Sequence, residues 1–191
     1  VRLENDANCL ALSEATDGAA AGAASVFAII LGTGVGGGLV VSGSLLPGRN
    51  GIAGEWGHIP LPWPCTDEAP GPACWCGQYG CLETWLAGPA IEAQWHEAMN
   101  TRLNATEIAS HPDGRPILDA WLDRLARATA VILNVLDPEV LVVGGGLNSI
   151  DAIYREIPSR WPQYVFSDEV HTTIVPAKHG DSSGVLGAAR L

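Results

Sequence analysis

Three cysteines lie close together in a stretch of the chain that has neither helical nor strand periodicity. Residues 74–81 read Cys-Trp-Cys-Gly-Gln-Tyr-Gly-Cys, which gives the spacing C-x-C-x4-C. Thiolates at this spacing can bind one Zn²⁺ at about 2.3 Å each, provided that glycines such as Gly77 and Gly80 let the loop fold back. The cluster therefore predicts that the irregular region of roughly residues 47–80 is organised around a metal ion.

A closed tetrahedral zinc site needs a fourth ligand in addition to Cys74, Cys76 and Cys81. His58 is the best candidate among the five histidines, because glycines accompany it in the same irregular region, and Cys65 is the competitor. A Cys₃His set saturates the metal, so the zinc is expected to be structural, with the second ring nitrogen of His58 left available to a ligand. The alternative is that the three cysteines are reduced bystanders.

The composition limits the class of protein. The chain has 191 residues, of which 47% are hydrophobic and 16% charged, as expected of one or two packed domains. Its net charge of −11 argues against a nucleic-acid partner, and no apolar run reaches the ~18 residues of a membrane span. An odd count of five cysteines, with Cys9 packed on the apolar face of a predicted helix, fits a reducing compartment, so we expect a cytoplasmic protein.

The order of the predicted elements is typical of a mixed α/β fold. Apolar and β-branched runs predict strands at residues 1–4, 25–31, 38–41, 44–46, 140–143 and 172–175. Helical spacing and capping residues predict helices at residues 6–15, 83–100, 117–136, 150–161 and 181–191. The second and third strands form a predicted antiparallel hairpin, and strands alternate with helices in the second half of the chain.

Two glycine-rich segments are candidates for binding phosphates or a nucleotide. The first connects two predicted strands and offers backbone N–H groups with little side-chain obstruction, but it has neither the Lys of a P-loop nor the strand-to-helix turn of a Rossmann motif. The second follows a buried strand. A plain hairpin and close helix–strand packing are the respective alternatives. The residues are Gly32, Thr33, Gly34, Val35, Gly36, Gly37 and Gly38 in the first segment, and Gly144, Gly145 and Gly146 in the second.

Three carboxylates stand at positions that suggest chemistry. Asp6 lies at a predicted strand-to-helix junction, where α/β folds place functional residues, although an N-cap is the commoner role for Asp there. Glu55 and Glu83 each lie within three residues of a predicted zinc ligand. A folded metal loop would bring both into one pocket, whereas solvated surface charge is the alternative.

Taken together, five motifs in this order resemble the ROK family of sugar kinases and sugar-responsive repressors. They are residues 5–8 (Asn-Asp-Ala-Asn), 32–38, 54–58 (Gly-Glu-Trp-Gly-His), 74–83 and 144–146. The resemblance covers essentially the whole chain and is greatest to bacterial fructokinases of the manno(fructo)kinase type, through residues 5–14, 54–62 and 178–184. It implies an actin-like (ribonuclease H-like) fold, of which residues 1–191 form the C-terminal lobe, with a zinc-binding insertion at about 54–83 and the N-terminal lobe absent.

The resemblance also implies an ATP-dependent kinase that phosphorylates fructose, or else mannose or glucose, at a primary hydroxyl with Mg²⁺ as the phosphate partner. The implied general base is Asp6, and the implied sugar ligands are Asn5, Asp6, Glu55, His58 and Glu83. Zinc would be bound by His58, Cys74, Cys76 and Cys81, the ATP phosphates by Gly32–Gly38, and the adenosine by Gly144–Gly146. The chain alone is expected to have little or no activity, and a homodimer is expected.

Three alternatives share these motifs. The first is a kinase for N-acetylglucosamine or glucose. The second is a ROK repressor, which retains the sugar and zinc motifs and adds an N-terminal helix-turn-helix. The third is a zinc-stabilised module that binds sugar or mediates dimerisation without catalysis. An intact phosphate hairpin and the presence of Asp6 favour the kinase.

Overall fold

The computed structural model describes residues 3–191, apart from the side chain of Asp181. The strands are β1 (Ser25–Leu31), β2 (Val35–Val41), β3 (Ser44–Leu45), β4 (Val140–Gly144) and β5 (Thr173–Pro176). The helices are α1 (Asp6–Thr16), α2 (Glu83–Leu86), α3 (Gly88–Met99), α4 (Ala105–Ser110), α5 (Arg115–Leu136), α6 (Ala152–Arg160) and α7 (Ser183–Ala188). The predicted mixed α/β fold is confirmed.

The five strands form one mixed sheet in the order β3-β2-β1-β4-β5. The pairs β1–β2 and β2–β3 are antiparallel, whereas β4 is parallel to both β1 and β5. Parallel neighbours require crossover connections, and the helices between β1 and β5 supply them. Because β1 and β4 run in the same direction in register, the turns after Leu31 and after Gly144 meet at one edge of the sheet.

Helices cover both faces of the sheet, which explains why its central strands are apolar throughout. Along β1, Val26 and Ala28 belong to a small cluster with Leu10 and Ala11 of α1. The alternate residues Phe27, Ile29 and Leu31 belong to the large core formed with α2 to α6. The period of two along the strand thus assigns each side chain to one of two cores.

The second strand of the hairpin is longer than the predicted 38–41, because Val35, Gly36 and Gly37 also lie inside β2 and not in the connection. A Cβ on Gly38 would lie 2.6 Å from the carbonyl oxygen of Ala7, and a Cβ on Gly37 would lie 2.8 Å from that of Gly54. These glycines therefore allow α1 and the chain near Gly54 to approach the strand, and only residues 32–34 form the turn.

Three helices also differ from the prediction. The helix predicted at 83–100 is divided, since Ala87 is extended and Pro89, which lacks an N–H, starts a new helix at α3. Helix α4 was not predicted, although Asn104 and Glu107 form a capping box. The predicted last helix begins later, at Ser183, after a 3₁₀ turn.

The strand predicted at residues 1–4 lies partly outside the described residues, and Leu3 and Glu4 are not in a strand. Among the described residues, no helix combines the length and the apolar character that a membrane crossing requires.

Candidate active site and metal centre

A cavity of about 420 Å³ opens where the β1–β2 hairpin, the start of α1 and the chain around residues 55–58 converge. All five predicted sugar ligands line it, and residues of the glycine hairpin complete it. The lining residues are Asn5, Asp6, Ala7, Ile30, Thr33, Gly34, Val35, Gly36, Gly37, Glu55, His58 and Glu83. Side chains that are up to 78 positions apart in the sequence thus share one cavity, as the order of motifs predicted.

The start of α1 presents Asp6 to this cavity. Asn5 is the N-cap residue, and its Oδ1 accepts the backbone N–H of Asn8 at 2.7 Å. Asp6 is therefore the first residue of the helix and not its cap, so the capping alternative for Asp6 is wrong. Its exposed carboxylate accepts the adjacent N–H of Ala7 at 2.9 Å and faces the cavity with acceptor capacity to spare.

Residues 54–58 are attached to β2 at two points. A Cβ on Gly54, which has a φ of 92°, would lie 2.4 Å from the carbonyl oxygen of Gly37, so only glycine fits this crossing. The buried Trp56 donates its indole N–H to the carbonyl oxygen of Gly36 at 2.7 Å. Glu55 and His58, on either side of Trp56, are thereby directed into the cavity.

The residues that we call the loop segment, 54–83, fold back on themselves beside the cavity. Leu61 donates its backbone N–H to the carbonyl oxygen of Gly80, and Leu82 donates to that of Ile59, both at 2.9 Å. This short antiparallel pairing brings His58 next to the cysteines and places Glu83 at the cavity.

Glu83 joins the two sides of the cavity. Its Oε2 accepts the backbone N–H of Val35 from the hairpin at 3.0 Å, and its Oε1 accepts the indole N–H of Trp75 at 2.7 Å. A Cβ on Gly34 would lie 2.7 Å from Oε2, so the glycine is needed for this contact.

Four side chains of the loop segment form a group that we call the Cys/His quartet: His58, Cys74, Cys76 and Cys81. Their ligand atoms all lie within 4.8 Å of one another. The Nδ1 of His58 is 3.5 Å from the Sγ of Cys74, and the Sγ atoms of Cys76 and Cys81 are 3.6 Å apart. Tetrahedral zinc with ligands at 2.0–2.3 Å requires separations of roughly this size, so the donor set and its geometry fit Zn²⁺.

The remaining cysteines are separate from this group. Cys65 is exposed and begins a 3₁₀ turn, and Cys9 is buried on α1. Within the quartet, the backbone N–H of Gln78 lowers the pKa of Cys76, while burial raises the pKa of the Cys81 thiol. A bound metal would deprotonate both thiols.

The charge of the cavity suits an uncharged polyol. Asp6, Glu55 and Glu83 supply carboxylate acceptors, and no Lys or Arg is found among its described lining residues. Carboxylates pair well with hydroxyl donors, whereas a polyphosphate at this edge would require a cation to offset repulsion.

The second glycine segment lies beside the hairpin tip but does not line the cavity. A Cβ on Gly32 would lie 3.8 Å from the nitrogen of Gly146, so the two turns are neighbours. Gly145 has a φ of 83° and passes so close to Leu31 that a Cβ would lie 2.4 Å from its carbonyl oxygen. Gly146 faces open space, since a Cβ there would have no atom within 4 Å. Binding of phosphates and adenosine at these turns stays a prediction.

A buried ion pair that the sequence analysis missed anchors the loop segment to α5. Glu68 is 6% exposed and accepts hydrogen bonds from Arg127 and Arg124 at 2.8 Å. Burial alone would raise the pKa of Glu68, but these hydrogen bonds outweigh it and hold the pKa well below its usual range. No local sequence signal identifies this pair, because Glu68 and Arg127 are 59 positions apart.

A family model described as "ROK family" matches residues 1–191. An N-acetyl-D-glucosamine kinase of Yersinia pseudotuberculosis serotype O:1b (strain IP 31758) is 42% identical over 200 residues, covering 100% of this chain and 66% of the relative. The chain thus spans just under two thirds of the length of that relative.

Solved structures are similar as well. A ROK family glucokinase from Streptomyces griseus, in complex with glucose and AMPPNP, has a TM-score of 0.85 and 27% identity, covering 98% of this chain and 66% of that one. A ROK family transcriptional regulator, a homologue of the E. coli MLC protein, has a TM-score of 0.84 and 25% identity over 97% of this chain and 50% of that one. The expected special likeness to fructokinases is not supported, because relatives that are 42% identical to this chain, from Yersinia pseudotuberculosis, Vibrio atlanticus and Vibrio cholerae, are named N-acetyl-D-glucosamine kinases. The match over the full chain shows that this protein belongs to the ROK family.

Proposed function

We propose that the chain forms the sugar-binding part of an ATP-dependent hexose kinase with an actin-like fold. The observation that carries the proposal is the convergence of Asp6 with four other hydrogen-bonding side chains in one acidic cavity, beside two neighbouring glycine-rich turns. Phosphoryl transfer depends mainly on positioning the hydroxyl and on stabilising charge at the phosphates, and this arrangement offers parts for both tasks.

In the proposed reaction, Asn5, Glu55, His58 and Glu83 bind the ring hydroxyls and leave the acceptor hydroxyl facing Asp6. The carboxylate of Asp6 takes the hydroxyl proton as the sugar oxygen bonds to the γ-phosphorus and ADP departs. The hairpin tip at residues 32–34 would donate backbone N–H groups to the phosphates, and residues 144–146 would border the adenosine. Mg²⁺ would arrive with the nucleotide and neutralise phosphate charge, which the acidic cavity does not.

Zinc is proposed for the Cys/His quartet. When bound there, it would cross-link the two strands of the loop segment and keep the His58 ring in one orientation. The Nδ1 of His58 lies on the quartet side, so Nε2 is the nitrogen left for a sugar hydroxyl.

N-acetylglucosamine is the proposed substrate in preference to fructose, because relatives that are 42% identical to this chain are named N-acetyl-D-glucosamine kinases. We expect kcat/KM for N-acetylglucosamine to exceed that for glucose, mannose and fructose, measured as sugar-dependent ADP release. The assay should use the complete product of the reading frame that contains these residues, since the chain spans 66% of the length of its relatives. A higher kcat/KM for fructose would overturn the substrate assignment and leave the kinase assignment intact.

The role of Asp6 is tested by Asp6→Asn. Loss of a general base should lower kcat by about 10³-fold while sugar affinity, measured by calorimetry, changes little. Asp17→Asn is the matched control, because Asp17 is an exposed residue just past the other end of α1 and contacts His179 and Arg190, away from the cavity. Undiminished turnover in Asp6→Asn would remove Asp6 as the base.

Sugar-responsive regulation is a second candidate, favoured by the similarity to the transcriptional regulator. A regulator would bind sugar in the calorimeter and release no ADP with any of the four sugars. Turnover by the complete protein would exclude it as the sole function.

A further inference from the structure

Trp75 is the most exposed tryptophan described, yet both ends of its side chain are engaged. The residue stands between Cys74 and Cys76, and it is 81% exposed, whereas Trp121 and Trp161 are buried. Its indole N–H donates to Glu83 Oε1 at 2.7 Å. Its ring meets the His58 ring edge to face, with the centroids 4.8 Å apart and the planes at 90°. One exposed side chain thus contacts two residues that line the cavity.

The contact with Glu83 completes a clamp on that carboxylate. The backbone N–H of Val35 binds Oε2 from the hairpin, and the indole of Trp75 binds Oε1 from the loop segment. Two donors from opposite sides fix the plane of the carboxylate. Each oxygen retains a second lone pair, so both can still accept a hydroxyl from the cavity.

The chemistry of an indole suits this position better than that of other donors. Its N–H donates and cannot accept, so it does not compete with Glu83 for a hydroxyl proton. It adds no positive charge that would form a closed ion pair with Glu83, as Lys or Arg would. Its ring is rigid with few torsions, and the neighbouring Cys74 and Cys76 belong to the quartet, so the backbone on both sides is restrained.

We infer that Trp75 is a positioning residue, which orients Glu83 and His58 for hydrogen bonding to the sugar. The inference rests on the proposed function, because it takes both residues as sugar ligands. It adds a residue of the loop segment that does not itself line the cavity to the set that determines sugar affinity.

The test is Trp75→Phe, which keeps an aromatic ring beside His58 and removes the donor. The KM for N-acetylglucosamine should rise about tenfold, as for loss of a hydrogen bond to a charged group, while kcat stays within twofold. Zinc content and the melting temperature should be unchanged. Trp63→Phe is the matched control, since Trp63 is an exposed tryptophan of the same segment that stacks on Tyr164 away from the cavity.

A second measurement does not depend on activity. The indole ¹H–¹⁵N resonance that disappears in Trp75→Phe identifies Trp75. In Glu83→Ala this resonance should move upfield, toward the position of a solvent-exposed indole, and the resonance of Trp63 should not. A conformational change caused by loss of metal would instead alter the zinc content.

The outcomes separate the two claims. If the unaltered protein phosphorylates none of the sugars, the proposed function is wrong, and the indole resonance alone decides whether Trp75 holds Glu83. If the unaltered protein is active and Trp75→Phe has the same KM, the positioning role is wrong and the kinase assignment stands. A fall in kcat without a change in KM would also overturn the positioning of the sugar ligands by Trp75.

Discussion

The cavity has one wall made by the sheet and another made by the loop segment 54–83, and the two walls are held by different kinds of interaction. On the sheet side, seven residue pairs in register join β1 to β2, and glycines let α1 lie directly on the strand. On the loop side, the paired backbone consists of the isolated bridges Pro60↔Cys81 and Ala73↔Tyr79, and local turns and side chains make further connections.

The difference indicates where each wall is vulnerable. A backbone ladder is insensitive to the loss of any one side chain but cannot accept added volume at a close approach. A loop held by a few side chains tolerates changes elsewhere but depends strongly on each connection. The Cys/His quartet and the Glu68–Arg127 pair are two such connections.

The largest effect is expected from Cys76→Ser. Loss of one ligand should abolish stoichiometric zinc and lower the free energy of unfolding by at least about 4 kcal/mol, the range in which loss of a metal falls. For a chain of this size that corresponds to a decrease in melting temperature of roughly 8–16 °C. Elemental analysis and calorimetry measure the two quantities.

Cys65→Ser is the control for the metal, because Cys65 is an exposed cysteine of the same segment outside the quartet. It should retain zinc and the original melting temperature. Full zinc content in Cys76→Ser would contradict the ligand assignment.

A smaller effect is expected from Glu68→Gln, which leaves the buried Arg127 with the partly exposed Asp123 as its remaining anionic partner. The free energy of unfolding should fall by about 3 kcal/mol at neutral pH. The pKa of Glu68 is held below its usual range in the folded state. Its contribution to the free energy of unfolding is therefore fully present above about pH 4.3, the pKa of Glu in the unfolded chain, and is lost as the pH falls toward the folded-state pKa. Denaturation at a series of pH values should therefore show the two proteins converging only in strong acid.

Glu156→Gln provides the comparison for this ion pair. Glu156 also accepts from two arginines, Arg115 and Arg160, but Arg115 is largely exposed there. The substitution should lower the free energy of unfolding by at most about 1 kcal/mol. Equal losses in the two variants would mean that the burial of Glu68 is unimportant.

After Cys76→Ser and Glu68→Gln, the smallest of the three principal effects is expected from Gly38→Ala, which tests the sheet side. The added Cβ would lie 2.6 Å from the carbonyl oxygen of Ala7, which belongs to the backbone of α1 and cannot move without shifting Asp6. Overpacking of this kind should lower the free energy of unfolding by about 2 kcal/mol and leave the zinc content unchanged. Gly184→Ala is the control, since its Cβ would enter open space within α7, and it should be neutral or slightly stabilising.

The sequence was most informative where its pattern is local. The apolar, β-branched run at residues 25–31 predicted a strand, and capping residues predicted a helix that starts at residue 6; the structure has both. The extent of β2 was predicted wrongly, because a run of glycines is typical of a turn and also of a strand that another backbone crosses. Only the tertiary approach of Ala7 and Gly54 distinguishes the two.

The candidate site was predictable to the extent that motifs could be recognised. The five predicted sugar ligands do share a cavity, and His58 does join three cysteines. The supporting contacts were not predictable. Trp75 and Glu68 are single residues in an irregular stretch, and nothing local indicates that their partners are Glu83 and Arg127.

His58 belongs both to the Cys/His quartet and to the cavity lining. If zinc and sugar bind as proposed, their affinities are thermodynamically linked, and any factor by which zinc tightens sugar binding is the factor by which sugar tightens zinc binding. A chelator that removes zinc should then weaken sugar binding, and bound sugar should make the zinc harder to remove, although sugar and chelator do not share a site. Sugar abundance would consequently set how firmly the protein retains its metal when zinc is scarce.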